Sequence, residues 1–208
     1  MPTFDLRGIK IAKYGLTPQN QITYTSKTRV GDAMDVNLEF RHAEARLYAE
    51  SNLAEYMRKA TGGSISIAVK YIVQAAQKLM YGGSTKERSV SVKRTGSDGQ
   101  ETTSTVKVSS DVATGKDVGN YVGVSFYAPD KIDGVDKFTC VHVVRSLFGR
   151  PAMAFKTVGE QIAFQTPTTS GEFLPSTDGK QTMVEVAVVD DEETAEAWTD
   201  AVLSEVSS

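Results

Sequence analysis

The strongest constraint on this chain is a two-residue alternation of apolar and polar side chains that recurs along much of its length. Successive side chains of an extended strand point to opposite faces, so this period builds strands with one buried face. In residues 63–71, Ile65, Ile67, Val69 and Tyr71 alternate with Ser64, Ser66, Ala68 and Lys70. Residues 120–128 place Val122, Val124 and Phe126 on one face, and residues 182–189 do the same with Val184, Val186 and Val188. Residues 138–147 are apolar on both faces, as expected inside a sandwich or an oligomer. Further strands are predicted at 8–14, 35–41, 45–49, 152–158 and 162–166.

Helical patterns are fewer. Asp190 and Glu193 have capping-box spacing, and the acids of that turn suit a helix N-terminus. Ala195, Trp198, Val202 and Leu203 then form one apolar stripe, which predicts a helix from 190 to 203. A second helix is predicted over 73–81, with Ala76, Leu79 and Met80 inward and Gly82-Gly83 as its stop. A third is expected over 51–60, through Leu53, Tyr56, Met57 and Ala60. The fold class is therefore mainly β, a sandwich or barrel with one or two flanking helices, one of them C-terminal. A single domain over 1–208 is expected, since neither a repeat nor a dividing linker interrupts the chain.

Residues 84–116 differ in kind. Two short alternating runs, 89–94 and 103–109, flank Gly96-Ser97-Asp98-Gly99, where Asp98-Gly99 is a turn signal. Each run holds only two valines, Val90 and Val92, then Val106 and Val108. A two-stranded ribbon with so little apolar surface is marginal alone, so an extended β-hairpin arm is expected that orders on contact.

The hydrophobic share of 40% and charged share of 24% suit a folded chain of 208 residues. Cys140 is the one cysteine, which precludes an intrachain disulfide and fits a reducing compartment. No apolar run approaches the roughly 18–20 residues needed to span a bilayer, and residues 1–10 lack a signal-peptide pattern, so a soluble protein is expected. Charge is unevenly spread. Residues 1–83 carry 11 basic and 7 acidic side chains, whereas 117–208 carry 6 and 15. Such a layout marks an acidic solvated helix or complementary faces.

Catalytic constellations are hard to find. His42-Ala43-Glu44 offers two metal ligands without a third. Cys140 and His142 share a strand face, but a nucleophile and base there would lack an orienting group. Thr114-Gly115-Lys116 resembles the end of a phosphate loop, yet Asp117 stands where the metal-binding hydroxyl is needed. Asp130/Asp133 and Asp190/Asp191 lack calcium-loop spacing. No catalytic, cofactor or metal residue is nominated, and an enzyme is not expected. Lys86, Arg88, Lys93, Arg94, Lys107 and Lys116 form a basic set on the arm, without an aromatic residue for base stacking. A partner-facing ribbon accounts for them better than nucleic-acid binding. The first five are the candidate inter-subunit contacts.

Several local features, taken in order, belong together: Gly8-Ile9-Lys10-Ile11-Ala12-Lys13-Tyr14; Leu47-Tyr48-Ala49-Glu50; the segment 62–71; Asn120-Tyr121-Val122-Gly123-Val124-Ser125-Phe126; the tract from Gln165 through Thr166-Pro167-Thr168-Thr169 to Phe173; Asp178-Gly179-Lys180; and the acidic helix with Trp198. This series resembles the major tail, or tail tube, proteins of long-tailed bacteriophages, in the siphophage branch known as phi13-like. The resemblance covers most of the chain and rests on structural motifs. It implies a tail-tube β-sandwich or barrel without catalytic residues, closing into hexameric rings that stack head-to-tail into a tube. The implied partners are further copies of itself, the tape-measure protein in the lumen, the tail terminator and the distal tail proteins. Double-stranded DNA would pass through without specific binding and no membrane would be involved. The implied location is the virion tail, assembled in the host bacterial cytoplasm. The alternative is a non-catalytic β-sandwich module binding a carbohydrate or a protein, against which the scattered aromatic residues count.

Overall fold

The computed structural model describes residues 5–49, 52–95, 100–132, 134–152 and 166–204. The chain is mainly β and antiparallel. Its strands are β1 (Arg7–Leu16), β2 (Ile22–Arg29), β3 (Ala33–Ala49), β4 (Asn52–Val69), β5 (Ser84–Thr95), β6 (Glu101–Val112), β7 (Val122–Ile132), β8 (Val135–Phe148), β9 (Thr168–Phe173) and β10 (Val184–Val189). Two helices accompany them, α1 (Gln74–Tyr81) and α2 (Glu192–Ala201).

One sheet runs in the order β2-β1-β7-β8-β9-β4-β3, with β10 on the other half of the β8 edge that β9 uses. Its ends face each other across one core. Ile9 and Ile11 of β1, Val122 and Val124 of β7 and Val143 of β8 meet Ile65, Ile67 and Val69 of β4 and Phe173 of β9. Val122, Val124, Ile65, Ile67 and Val69 are alternating residues of the sequence, and the period sends them inward. Helix α1 closes this core with Ala76, Met80 and Tyr81, and it stops where Gly82 and Gly83 both take positive φ.

Helix α2 lies on the outer face of the sheet. Ala195 packs with Tyr127 and Cys140, Val202 and Leu203 pack with Ala12, and half-buried Trp198 touches both groups. Asp191, one residue later than the sequence spacing suggested, caps the helix by accepting from the Thr194 backbone N–H at 2.7 Å. Burial on this face is tight because small residues leave room for rings. Tyr24 reaches from β2 across Gly123 of β7, where an added Cβ would stand 2.4 Å from the ring. Its hydroxyl donates to the Val144 carbonyl on β8 at 2.8 Å.

Two expectations are corrected. Residues 51–60 do not form a helix; the described part, from Asn52, belongs to β4. Leu53, Tyr56, Met57 and Ala60 do have helical spacing, but the ladder with β3 pairs Tyr56 with Arg46, Met57 with Ala45 and Ala60 with His42. Tertiary pairing therefore overrides a local pattern that no helix partner rewards. The strands expected at 35–41 and 45–49 are one strand, β3, continuous across a register shift between Arg41 and His42. Strand β2 and strand β9, in the Thr-Pro-Thr tract, were not anticipated. The expected strands at 152–158 and 162–166 fall almost wholly outside the described residues.

Candidate assembly surface

The predicted arm is present as a ribbon of β5 and β6, in register from Ser84–Val112 to Thr95–Glu101. Beyond its root the ribbon packs on no other element of the described chain. The root is fastened by side chains. Gln74 of α1 donates to Asp111 at 2.9 Å, and Arg150 lies 3.1 Å from Asp117 and donates to the Gly82 carbonyl. Asp117 also accepts from the hydroxyl and N–H of Thr114; these bonds, outweighing some desolvation, hold its carboxyl below the usual range.

Register divides the five nominated basic residues between two unlike faces. Lys86, Arg88 and Arg94 stand on the face that carries Val90, Val92, Val106, Val108 and Val112, which has no acidic residue. Lys93 and Lys107 stand on the opposite face among Ser, Thr, Glu87, Glu101 and Asp111. All five are exposed, and none is ion-paired among the described residues. The first face is apolar and cationic. The second is polar and of mixed charge. Sequence reading treated the five as one set, although the alternation itself contained the split.

A second long hairpin, the outer part of β3 and β4, escaped sequence reading because of the helix assignment. It carries a charge-aromatic network on one face: Arg58 lies 3.5 Å from Glu44 and 3.2 Å from His42 Nδ1, and the Arg46 guanidinium sits over Tyr56 at 5.6 Å. His42 is thus an exposed member of this network, and among the described residues no group of three acidic, His or Cys side chains is placed to hold a metal.

A third feature lies beside β3, over β7 and β8. The inner face of the sheet stays open there, forming a cleft of about 360 Å³ floored by Phe126, Val141 and Leu38. Met34 lines the cleft and is 55% exposed, while Phe40 on β3 and Val186 and Val188 on β10 lie outside its lining and are 47%, 59% and 47% exposed. Asp5, already ion-paired with Arg7 at 2.6 Å, and Asp35 are the charged residues of its lining.

The Cys140 and His142 pair is structural in its contacts. Cys140 is fully buried, its sulfur 4.0 Å from the Ala195 carbonyl, and burial pushes the thiol up to about 11, away from thiolate reactivity. His142 Nε2 lies 3.0 Å from the Tyr24 hydroxyl, whose proton is already committed to Val144, so the histidine is the donor there. Its Nδ1 faces Glu185 Oε2 at 3.7 Å, beyond hydrogen-bond distance, across the β8–β10 ladder. That interaction leads the influences drawing the Glu185 carboxyl below its usual range, against some desolvation.

The charge asymmetry is answered in part within the chain. Arg7 pairs with Glu192 at 2.8 Å, and Lys10 and Lys27 meet Asp200 at 3.0 Å and 2.9 Å. The acidic helix is neutralised on one side by the basic strands beneath it. In comparisons with known proteins, no family model matches this chain, and no curated protein matches it. No helix among the described residues is long and apolar enough to cross a membrane.

Proposed function

We propose that this chain is a non-enzymatic virion subunit of the tail-tube type, closing into hexameric rings that stack head-to-tail around a tape-measure protein. The tube later conducts double-stranded DNA, and its ends meet the tail terminator and distal tail proteins. The observation that carries this reading is the β5–β6 ribbon. It presents valines and bases to solvent, is fastened at its root, and beyond the root packs on no other element among the described residues. Long strands, edges unpaired among the described residues, and an open cleft of mixed lining supply the other ingredients of repeated contact. A contact between two different surfaces propagates, whereas one that turns about an axis closes, so a ring and a stack can come from one subunit.

Negative-stain microscopy of the concentrated purified chain tests the reading. Rings or tubes of uniform diameter are expected. A chain that stays monomeric while binding a glycan or a peptide would replace it with the binding-module alternative.

A further inference from the structure

We propose that His142 and Glu185 form a proton-set latch, in which a proton taken up at His142 Nδ1 joins the Glu185 carboxylate and clamps edge strand β10 onto β8. The inference goes beyond the assembly reading and does not rest on it.

Donor accounting fixes the state of the ring. The Tyr24 hydroxyl has one proton and gives it to the Val144 carbonyl, which can only accept. His142 Nε2, 3.0 Å from the same hydroxyl, must therefore carry a hydrogen. In the neutral ring the other nitrogen, Nδ1, is then a bare acceptor. It is buried, has no hydrogen-bond partner among the described residues, and faces Glu185 Oε2 at 3.7 Å. Two acceptors opposed in this way hold nothing. One proton on Nδ1 converts them into a charge-assisted pair, the strong class of hydrogen bond. The two side chains differ in freedom as a latch requires. That of His142 is 6% exposed and pinned by Tyr24, whereas that of Glu185 is 55% exposed and can close the remaining distance.

The surroundings leave this pair isolated. From β2 the ring meets Tyr24, whose hydroxyl is held by burial far above the ordinary tyrosine range and stays neutral. Tyr14 of β1 lies behind it, the two tyrosine rings 6.1 Å apart. On β8 itself, burial keeps the Cys140 thiol protonated, and Arg145 stacks on Tyr121 and Tyr14. Ser125 of β7, opposite His142 in the ladder, is uncharged and donates to the Thr199 carbonyl of α2. The acids of α2 turn elsewhere: Glu192 to Arg7, Glu196 to Lys10 and Asp200 to Lys10 and Lys27, while Glu193 is exposed. Asp178, in the loop before β10, accepts from the Ser176 hydroxyl and the Lys180 N–H. Glu185 is the carboxylate placed to answer Nδ1.

The sign of the effect follows. Imidazoles exchange their proton between about pH 5 and 8. The clamp needs a charged ring and an ionised carboxylate together, so it is present on the acidic side of that exchange and lost on the basic side. The Glu185 carboxyl, drawn below its usual range chiefly by His142, stays ionised there, and the clamp fails again only as pH falls through that lowered value. What it grips is the strand that brings Ala187 and Val189 to the packing with Ala195 and Trp198 of α2. Among the described residues β10 has no strand partner except β8.

The test uses the unassembled full chain. His42 is the one other histidine, so His42→Gln leaves His142 as the sole imidazole signal in nitrogen-edited NMR. At about pH 8 the ring should be the Nε2–H form, and at about pH 6 a second ring N–H should appear. In parallel, the β10 amides of Glu185→Gln should exchange about fivefold faster than wild type near the lower pH and equally fast near the higher one. The substitution is isosteric and at an exposed position, so the fold is kept. An Nδ1–H form at the higher pH, or the same ratio of exchange rates at both, overturns the latch. Either result leaves the tube reading untouched.

Discussion

Lys10 of β1 and Asp200 in the last turn of α2 lie 3.0 Å apart, and their contact ties the basic beginning of the chain to its acidic end. An acid in the last turn of a helix opposes the macrodipole, so Asp200 needs a cation. Lys10, with a side chain only 14% exposed, and Lys27 supply two.

This arrangement makes the seating of α2 sensitive to acid. Desolvation raises the Asp200 carboxyl, but hydrogen bonds and charge from Lys27 and Lys10 outweigh it and leave it below the usual range. Asp191 is lowered chiefly by the Thr194 backbone N–H, and Glu192 chiefly by its bond to Arg7. Groups that titrate lower in the folded chain stabilise it fully above their unfolded values, and the gain is lost as pH falls through the folded ones. Trp198 is the one tryptophan and touches both clusters under the helix, so its emission reports the seating. On acidification below the ordinary carboxylate range, the emission should shift before the strand signal in circular dichroism is lost. Asp200→Asn should already be loosened at neutral pH and respond less to acid. Simultaneous loss of both signals would show that α2 is not a separate acid-labile element.

Trp198 also sets the scale of packing on this face. A fully buried Trp to Ala change costs about 3–5 kcal/mol, and Trp198 is only half-buried. Trp198→Ala should therefore cost about 2 kcal/mol, measured by chemical denaturation. An unchanged midpoint would mean that α2 contributes no packing.

Gly123 gives a sharper local test. An alanine Cβ there would meet the Tyr24 ring at 2.4 Å and Leu203 at 3.1 Å, and the ring is held by its bonds to Val144 and His142. Gly123→Ala should destabilise by about 1–3 kcal/mol, the usual range for overpacking. In the background of Tyr24→Ala the same substitution should be far milder, because the clashing ring is gone. Additive costs in the double-mutant cycle would show that the ring is not the obstacle.

How much of this was readable beforehand follows from where each pattern receives its physical reward. Ile65, Ile67 and Val69 alternate because one face of β4 is buried, so that strand and its inward residues were legible. Gly82-Gly83 announced the end of α1 because both positions need positive φ. Residues 51–60 misled because Tyr56 and Met57 are exposed on opposite faces, so burial imposed no period and a chance helical spacing stood out. The arm was visible as a hairpin from its turn and its alternation, but the meaning of its bases was not. Whether Lys86 and Lys93 act together depends on which face each takes, and the register with β6 separates them. The cleft was not visible, because it arises where β3 meets β7 and β8, which lie far apart in sequence.

The ribbon should change its dynamics on assembly. Few buried contacts hold it in the single chain, so its amides should exchange quickly there. In tubes the same amides should be protected. Deleting residues 95–103 should leave the core fold and its melting intact while abolishing stacking. Equal exchange in both states, or normal polymerisation of the deletion variant, would reduce the ribbon to a passive appendage.

The bore of the proposed tube carries the last prediction. A conduit gains nothing by holding phosphates, because each cation on its wall tightens binding and slows a sliding polyanion. Duplex binding at a basic wall releases condensed counterions, and its affinity falls with salt at a slope of about −0.9 per phosphate neutralised. A wall of carboxylates and hydroxyls keeps the duplex hydrated and distant. Several bases are already engaged by acids of the same chain: Arg7 by Glu192, Lys10 and Lys27 by Asp200, Arg41 by Glu172, and Lys137 by Asp190. Assembled tubes should therefore bind duplex DNA weakly at moderate salt, with most of the 23 basic residues lying outside the bore. A titration of intact tubes with duplex DNA across a salt series measures this directly. A radial map of charged side chains in an assembled tube gives the wall itself. Tight binding with a steep salt slope, or a predominantly basic bore, would sink the conduit mechanism and favour a role in packing nucleic acid.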